Sequence, residues 1–410
     1  MSNITIVGLG SVGLSNLIFF GANHQVHGDS ITAFDIDSEV ALAAPDRIQA
    51  MINNRKNKDI SLGDMARPIN YTDIRDIAYA DVDIIIFCLP TPLSDDSDEL
   101  DVEALSAELQ LAYDAAPKAL LIIRSTVPVG FTADMMRELD TKNIIFAPEF
   151  IREGFEVDDA FTPDRVLIGG YPKNILVFSH LISPKLPDKY SEIISGHCDV
   201  MEAAKLYSNA YLAMRVAFFN EVDTFALRHN MSGPILNRAI TGDKRIGRTY
   251  SNPSFGFGGS CLPKDLAQIN SQDWGPDEVG LMEATIESNK NRCEYLVDDI
   301  LSGPYNQTVG IYRLDMKRGH SNSRDASAIS ILAELIARDV PVIVFDDNYT
   351  DPWIYPCKLV TDISDFAREC GVIVANRIDD ELAPYRSKVF SRDFIEYDEH
   401  GNLPDTPEPF

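Results

Sequence analysis

Three glycines directly after a short apolar strand constrain the fold of this chain most. The segment ITIVGL (4–9) predicts a buried strand, and GLGSVG (8–13) follows it and opens a predicted helix. Glycines at these places permit a tight turn and a close approach of backbone to a pyrophosphate, which the helix N-terminus attracts. The pattern predicts a dinucleotide-binding βαβ unit. Its predicted cofactor contacts are Gly8, Gly10, Val12 and Gly13.

An acidic residue ends the next predicted strand, ITAFDID (31–37). Asp35 lies 22 residues after Gly13, close to the spacing of about 20 residues at which a carboxylate binds the adenosine ribose. Such a carboxylate accepts hydrogen bonds from the ribose diol and repels a 2′-phosphate, which favours NAD over NADP. The connection before this strand is long, so Asp37 is an alternative for the same contact.

Short apolar runs that alternate with helical segments occur in two series. The first series has strand-like runs at 82–88, 119–125, 143–149 and 165–170. The second has strand-like runs at 309–314, 340–347 and 371–376, with a helical segment at 327–339. Such alternation is typical of a parallel sheet covered on both faces. We therefore expect one α/β domain in each half of the chain.

A long stretch without glycine or proline separates the two series. Residues from about Val200 to Arg228 have helical apolar spacing and are richer in apolar residues than one exposed face needs. The predicted fold class is α/β, with two Rossmann-like α/β domains joined by a long central helix that also serves as a homodimer surface. The predicted domains are a nucleotide-binding domain at 1–198, a central helical region at 199–302 and a second α/β domain at 303–410.

Charge and cysteine usage exclude several classes of protein. The net charge is −27, whereas nucleic-acid binding requires a basic surface. The six cysteines are scattered, which argues for a reducing compartment and against disulfides or structural zinc. The sequence shows neither an apolar run of the ~18–20 residues that span a bilayer nor a signal peptide. We expect a cytoplasmic protein without a membrane or metal partner.

The segment YSNPSFGFGGSCLPKD (250–265) surrounds one cysteine with glycines. The glycines let the backbone approach a ligand closely. Cys261 follows them, Lys264 could favour its thiolate by charge, and Asp265 could hold a water or the lysine. An arbitrary cysteine is more often a buried structural residue, but the density of glycine before a predicted helix favours catalysis here.

This segment is very similar to the active-site segment of the UDP-glucose/GDP-mannose dehydrogenase family. The resemblance extends from the N-terminal glycines to IYRLDMK (311–317), and RIGRTYSNPSFGFGG (245–259) resembles the short bacterial UDP-glucose branch. It implies an NAD-dependent, four-electron oxidation of a sugar CH2OH to a carboxylate, with Cys261 as the covalent catalyst. UDP-glucose is the expected substrate, with UDP-N-acetylmannosamine and GDP-mannose as alternatives.

The resemblance assigns roles to three further motifs. STVPVG resembles a motif whose Thr126 lies near the nicotinamide, and FCLPTP points to Thr91 as a cofactor contact. APEFIREG resembles the PEF-x-RE motif, whose Glu149 and Glu153 would share one side of a helical turn because they are four residues apart.

The central helix carries the fourth motif, EAAKLYSNAYLAMRVAFFNE (202–221). Lys205 and Asn209 are one helical turn apart, so one face can present both. The resemblance implies that Lys205 stabilises an oxyanion and that Asn209 holds the hydrolytic water. A lysine on a solvated helix face is the more common arrangement, but the apolar neighbours weaken that alternative.

The complete predicted site follows from these motifs. The catalytic residues are Cys261, Lys205, Asn209, Asp265, Thr126 and Glu153. The cofactor contacts beyond the glycine turn are Asp35, Thr91, Thr126, Glu153, Lys264 and Arg324. The substrate contacts are Glu149, Phe150, Ile151, Arg152, Glu153, Lys205, Asn209, Arg245, Tyr250, Ser251, Asn252, Pro253, Ser254, Gly258 and Lys317. Lys317 would neutralise the diphosphate, and Arg245 would reach the site of a neighbouring subunit.

Two other functions share parts of this pattern. A two-electron β-hydroxyacid dehydrogenase also has an N-terminal glycine turn and a helical lysine–asparagine pair, but it needs no catalytic cysteine and no second α/β domain. A non-catalytic sensor of NAD or of a nucleotide sugar would keep the glycines. It would have no need of Cys261, Lys205 and Asn209.

Overall fold

A computed structural model describes most of the chain, namely residues 2–22, 30–57, 69–152, 154–186, 192–272, 280–303, 308–314, 327–346, 353–354 and 356–394. The predicted site residues Glu153, Lys317 and Arg324 lie outside the described residues. The chain divides into two compact units, 1–206 and 207–410. The domain boundaries at 198 and 302 stay predictions.

The first unit is built on an eight-stranded sheet. Its strands are β1 (Ile4–Val7), β2 (Ile31–Phe34), β3 (Ile69–Thr72), β4 (Ile84–Phe87), β5 (Leu120–Ile123), β6 (Ile144–Phe146), β7 (Arg165–Gly170) and β8 (Glu192–Gly196). Their spatial order is β3-β2-β1-β4-β5-β6-β7-β8. The first six strands have the order of a dinucleotide-binding fold, so the predicted fold class is confirmed.

Helices cover both faces of this sheet. They are α1 (Ser11–Gly21), α2 (Ser38–Asn54), α3 (Arg75–Ala78), α4 (Glu103–Ala115), α5 (Phe131–Glu138), α6 (Glu156–Phe161) and α7 (Pro172–Ile182), with a 3-10 turn at Ser183–Lys185. Along β4, Ile84 and Ile86 join one buried cluster, whereas Ile85 and Phe87 join another. Both faces of the strand are therefore buried, which explains its uninterrupted apolar sequence.

One pair of strands departs from the expected parallel arrangement. β6 and β7 are antiparallel, while the other neighbouring pairs of this sheet are parallel. The helix between them, α6, has six residues and is about 9 Å long.

The predicted long helix is α8 (Cys198–Arg228), with 31 residues. It begins in the first unit and continues into the second. Three helices follow it, namely α9 (Gly233–Thr241), α10 (Leu262–Ser271) and α11 (Leu281–Ser302). None of the helices in the described ranges is long and apolar enough for a membrane span.

The second unit contains a six-stranded sheet. Its strands are β9 (Val309–Tyr312), β10 (Val342–Phe345), β11 (Trp353–Ile354), β12 (Cys357–Val360), β13 (Val372–Ala375) and β14 (Val389–Phe390). Their order is β11-β12-β10-β9-β13-β14, and the pairs are parallel except β11 with β12. The accompanying helices are α12 (Ser327–Ala337), α13 (Ile363–Glu369) and a 3-10 helix at Asp380–Lys388.

Candidate active site

The glycine turn after β1 has the geometry that a bound pyrophosphate requires. Gly8 has φ +87, and a Cβ there would lie 2.7 Å from the carbonyl oxygen of Cys88. A Cβ at Gly13 would lie 1.9 Å from the carbonyl oxygen of Gly8. Side chains are therefore excluded at both positions, and α1 begins at Ser11 with Gly10 as its N-cap. The backbone amides at this helix N-terminus can hold a dinucleotide.

The two rival aspartates after β2 have different local roles. Asp35 accepts a hydrogen bond from the N–H of Leu9 at 2.8 Å, which attaches it to the glycine turn. Asp37 is the N-cap of α2, where its side chain accepts from the N–H groups of Glu39 and Val40. This local structure favours Asp35 for the ribose contact, because the Asp37 side chain already caps a helix.

The two predicted cofactor loops are tied together at the carboxyl ends of β4 and β5. The hydroxyl of Thr91 donates to the carbonyl oxygen of Thr126 at 2.7 Å. The hydroxyl of Ser125 donates to the carbonyl oxygen of Leu89 at the same distance. Ligands of open α/β sheets bind at this edge, so Thr91 and Thr126 lie together where a cofactor is expected.

A buried glutamate of α8 holds the end of the second loop. Glu202 accepts from the N–H of Gly130 at 2.6 Å and from that of Thr132 at 2.9 Å. Burial raises the pKa of this carboxyl above its ordinary value. The carboxylate supplies an acceptor for amides at the start of α5, which the helix itself leaves without partners.

Lys205 lies in a buried polar cluster of the first unit. Its ammonium donates to the carbonyl oxygen of Glu149 at 2.7 Å and lies 4.7 Å from the ring centroid of Phe150. The Glu149 carboxylate lies 3.0 Å from the guanidinium of Arg124 and accepts from Asn16 at 3.1 Å. Lys205 is thus a buried cation in a fixed position, and no solvated helix face is involved.

The predicted helical turn at Glu149 is wrong. Residues 147–152 contain no helix, and α6 begins only at Glu156, after Gly154 with φ +81. The reason is that the backbone carbonyl of Glu149 accepts from Lys205, whereas a helix would direct it along the chain. Ile151 next to it is half-buried.

Arg152 is occupied by a local ion pair. Its guanidinium donates to the carboxylate of Asp159 at 2.7 and 3.0 Å, and its side chain is 56% exposed. Its role as a substrate contact stays a prediction.

In the second unit, the proposed nucleophile stands at the start of a helix. Cys261 is exposed and is the N-cap of α10. The Asp265 carboxylate is buried, accepts from the Asn209 amide at 2.6 Å and lies 3.1 Å from the Lys264 ammonium. One carboxylate therefore contacts a predicted catalytic residue, Asn209, and a predicted cofactor contact, Lys264.

The other cysteines have properties unsuited to a nucleophile. All five are buried. Burial raises the pKa of the Cys88, Cys198 and Cys293 thiols to about 12 and that of Cys370 to about 11. Since the thiolate is the attacking species, its exposure distinguishes Cys261 from the rest.

The segment before Cys261 is a buried, hydrogen-bonded loop. Residues 251–258 are all buried. The carbonyl of Ser251 accepts from Asn237 at 2.6 Å, and the Asn252 side chain donates to Asp393 at 2.7 Å. The N–H of Ser254 donates to Asn220 at 2.8 Å. These hydrogen bonds hold the loop in its conformation, whether or not the same residues also contact a ligand.

Three further substrate predictions lie in or beside this loop. The carbonyl of Pro253 accepts from Arg377 at 2.8 Å. Tyr250 has φ +56, which places it in the left-handed region at the loop entrance. Arg245 pairs with Asp243, and its side chain is 89% exposed, so it projects from this chain. Its reach into a neighbouring subunit stays a prediction.

Several residues whose side chains hold the candidate site in place were not predicted from the sequence. They are Asn16, Arg124, Glu202, Asn220, Asn289 and Arg292. For Arg124 a signal exists, because an arginine ends the apolar run ALLIIRS, and a charge beside a buried strand needs a partner. The others are polar residues at helical positions, and their partners are distant along the chain.

The glycine turn, the strand order and the exposed cysteine at a helix N-terminus fit the class of NAD-dependent oxidoreductases. Sequence comparison supplies the family. Residues 2–181 match the NAD binding domain, and residues 199–291 the central domain, of the UDP-glucose/GDP-mannose dehydrogenase family. The chain belongs to this family, as the resemblance predicted, and the β-hydroxyacid alternative loses its support.

Relatives extend the similarity over nearly the whole chain. A UDP-glucose 6-dehydrogenase of Campylobacter jejuni is 33% identical over 394 residues, covering 95% of this chain and 98% of the relative. One from Streptococcus pneumoniae is 28% identical, covering 96% and 99%.

Solved structures show the same fold. A UDP-glucose dehydrogenase of Pyrobaculum islandicum has a TM-score of 0.78 at 21% identity, covering 98% of this chain and 95% of that one. A UDP-D-ManNAc dehydrogenase of Pyrococcus horikoshii has 0.76 at 19%, covering 100% and 97%. Dehydrogenases with two different sugar substrates share this fold, so the fold does not select the sugar.

Proposed function

We propose that this chain oxidises UDP-glucose to UDP-glucuronate with two equivalents of NAD, through covalent intermediates on Cys261. The observation that carries the proposal is the exposed thiol at the start of α10, beside the buried Asp265–Asn209 pair. The names of the Campylobacter and Streptococcus relatives support UDP-glucose as the substrate. The net reaction consumes one water, because an alcohol carbon becomes a carboxylate in two two-electron steps.

The first step needs a group that stabilises the alkoxide at C6. The Lys205 ammonium, fixed on the carbonyl of Glu149, is suited to this because its charge is buried and oriented before the reaction. The glycine turn and Asp35 would hold NAD, which would supply the hydride acceptor for both oxidations. Thr91 and Thr126 would form the wall of the cofactor site.

The second step needs a tetrahedral carbon that can release a hydride. The Cys261 thiolate adds to the aldehyde carbon, and the carbonyl oxygen becomes the hemithioacetal oxygen. Loss of hydride converts this adduct to a thioester. Asn209 has one N–H committed to Asp265 and a second that can donate to the oxyanion.

Hydrolysis completes the reaction. Water attacks the thioester carbon, the C–S bond breaks, and the thiolate of Cys261 is regenerated with the carboxylate as product. Asp265 would orient the water through Asn209, to which it is hydrogen-bonded, and we assign the same task to Thr126. We extend the role of water positioning to Glu153 on the family resemblance alone.

The stoichiometry of NADH tests this mechanism. We expect two NADH per UDP-glucose consumed, with UDP-N-acetylmannosamine and GDP-mannose giving far less. Cys261→Ala should lower the rate of acid formation at least about a thousandfold, whereas Cys293→Ala removes a buried thiol as a matched control. One NADH per sugar with release of aldehyde would contradict four-electron oxidation, and acid formation by Cys261→Ala at the parent rate would exclude this nucleophile.

We also propose a homodimer formed through the central helix. Tyr211, Phe218 and Phe225 are spaced by seven residues on α8, and each side chain is more than half exposed, at 53%, 53% and 51%. Leu236 and Ile240 of α9 line a groove with the two phenylalanines. Residues seven apart share a helix face, so this is one contiguous apolar surface of the kind that marks an interface.

The oligomeric state tests the dimer. Phe218→Glu together with Phe225→Glu should convert a dimer to a monomer in light scattering, whereas Tyr171→Glu, on an exposed position of the first unit, should leave it a dimer. A monomeric parent would contradict this part of the proposal. We place the enzyme in the cytoplasm, where its free thiol stays reduced.

A further inference from the structure

One amide side chain holds the peptide groups of Phe257. Oδ1 of Asn289, on α11, accepts from the N–H of Phe257 at 2.7 Å, and Nδ2 donates to the carbonyl of Phe257 at 3.1 Å. Both polar backbone groups of one residue are thus bonded by a single side chain, as a neighbouring strand would bond them in a sheet. Phe257 lies four residues before Cys261.

The adjacent glycine shows how closely this amide packs. Gly256 has φ +156, and a Cβ there would lie 2.8 Å from Oδ1 of Asn289. Two residues earlier, Ser254 is fixed from both sides, since its N–H donates to Asn220 and its carbonyl accepts from Arg292 at 3.2 Å. The chain is therefore held rigidly up to Phe257.

Beyond Phe257 the chain rises to the surface. Gly258 is buried, Gly259 is half-buried, and Ser260 and Cys261 are exposed. Gly259 has φ +82, a conformation that favours glycine. The direction in which this glycine pair leaves Phe257 determines where the thiol of Cys261 stands.

We propose that Asn289 is a positioning residue of the nucleotide-sugar site, which fixes the Phe257 peptide and thereby sets the turn that carries Gly258 and Cys261. The inference rests on the proposed function, in which Cys261 attacks the aldehyde, and on the family resemblance, which predicts that Gly258 contacts the sugar nucleotide. Asn289 acts through the backbone of Phe257 and is not itself a catalytic residue.

Asn289→Asp tests the proposal with an isosteric change. The new carboxylate keeps an acceptor for the N–H of Phe257, but it replaces the donor by an oxygen that faces the carbonyl. Asn291→Asp is the matched control, since it adds the same charge at an exposed position of the same helix. Relative to this control, Asn289→Asp should raise the KM for UDP-glucose about tenfold and lower kcat, while the KM for NAD changes less than about twofold.

The split between the two Michaelis constants distinguishes positioning from a general loss of structure. If Asn289→Asp unfolds, Asn289→Ala removes both hydrogen bonds without the repulsion and is measured in the same way. Kinetic constants equal to those of Asn291→Asp overturn the proposal. Unfolding of both Asn289→Asp and Asn289→Ala also overturns it, because the residue then serves folding. A parent chain that forms no NADH from UDP-glucose shows a different failure, that of the proposed function.

Discussion

The two polar clusters that α8 carries are built in different ways. In the first unit, Lys205 donates to a backbone carbonyl, and the carboxylate of the same residue, Glu149, is neutralised by Arg124. In the second unit, the buried Asp265 carboxylate contacts the Asn209 amide and the Lys264 ammonium directly. The first cluster fixes a cation through a backbone carbonyl, whereas the second orients side chains through a carboxylate.

Because of this difference, we expect the first cluster to contribute mainly to stability and the second mainly to activity. Arg124 is buried and its partner Glu149 is half-buried, and the pair holds the segment after β6, so its loss should reduce stability. Asp265 contacts Asn209 and Lys264, which are predicted site residues, so we expect its loss to reduce activity. Each cluster can be broken separately.

The largest effect is expected from Arg124→Met. The change leaves the Glu149 carboxylate, which is 18% exposed, without its cationic partner. Removal of one member of a buried pair costs about 3–5 kcal/mol of unfolding free energy. Denaturant unfolding measures this. Arg338→Met, at a surface ion pair just after α12, is the control and should leave the unfolding midpoint unchanged. An equally small effect at Arg124 would show that the cluster is not structural.

A somewhat smaller effect, on activity, is expected from Asp265→Asn. The neutral amide no longer attracts Lys264 and presents an N–H or a weaker acceptor to Asn209. The loss of one oriented donor to an oxyanion costs about 10²–10³ in kcat. Steady-state NADH formation measures it, with thermal unfolding as a check of folding. Asp298→Asn, at an exposed surface pair, is the control. A full kcat in Asp265→Asn would mean that Asn209 is oriented by other contacts.

The smallest effect concerns pH and Glu202. Burial raises its pKa above the ordinary value of 4.5, against the hydrogen bonds from Thr132 and Gly130 that lower it. The folded chain therefore keeps the proton to higher pH than the unfolded chain. The stability from this group is full below the unfolded pKa and is lost as pH rises through the folded pKa.

Glu202→Gln removes this titration. The melting temperature of the variant, measured against the parent, should improve as pH rises above 4.5. Glu138→Gln, an exposed change on α5, should show no such trend. If the melting temperature of Glu202→Gln minus that of the parent stays constant or falls as pH rises, the pKa of Glu202 is not raised.

The sequence predicts best where burial dictates composition. β1, β4 and β5 are covered on both faces and read as apolar runs, and α8 lacks glycine and proline throughout. The edge strands β3 and β8 were missed, because their residues are mostly half-buried or exposed and include polar ones. An apolar pattern arises only where a strand is covered.

The reactive residues of the candidate site could be predicted from the sequence. The residues that hold them in place through hydrogen bonds and ion pairs could be predicted much less well. The reactive groups follow from local sequence. One turn contains the glycines, one loop leads to Cys261, and one helix carries both Lys205 and Asn209. The partners of Glu149 and Phe257 are 25 to 133 residues away in sequence, and no local pattern encodes such contacts. The predicted helical turn at Glu149 failed for that reason, since a distant lysine captures its carbonyl.

Because α8 is one uninterrupted helix from Cys198 to Arg228, the separation of Lys205 and Asn209 is set by the rise of the backbone, about 6 Å for four residues. The roles proposed for these two side chains depend on this spacing. We expect one residue inserted between them to rotate the Lys205 side chain about 100° away from that of Asn209. Activity should then be lost although every predicted catalytic side chain is still present.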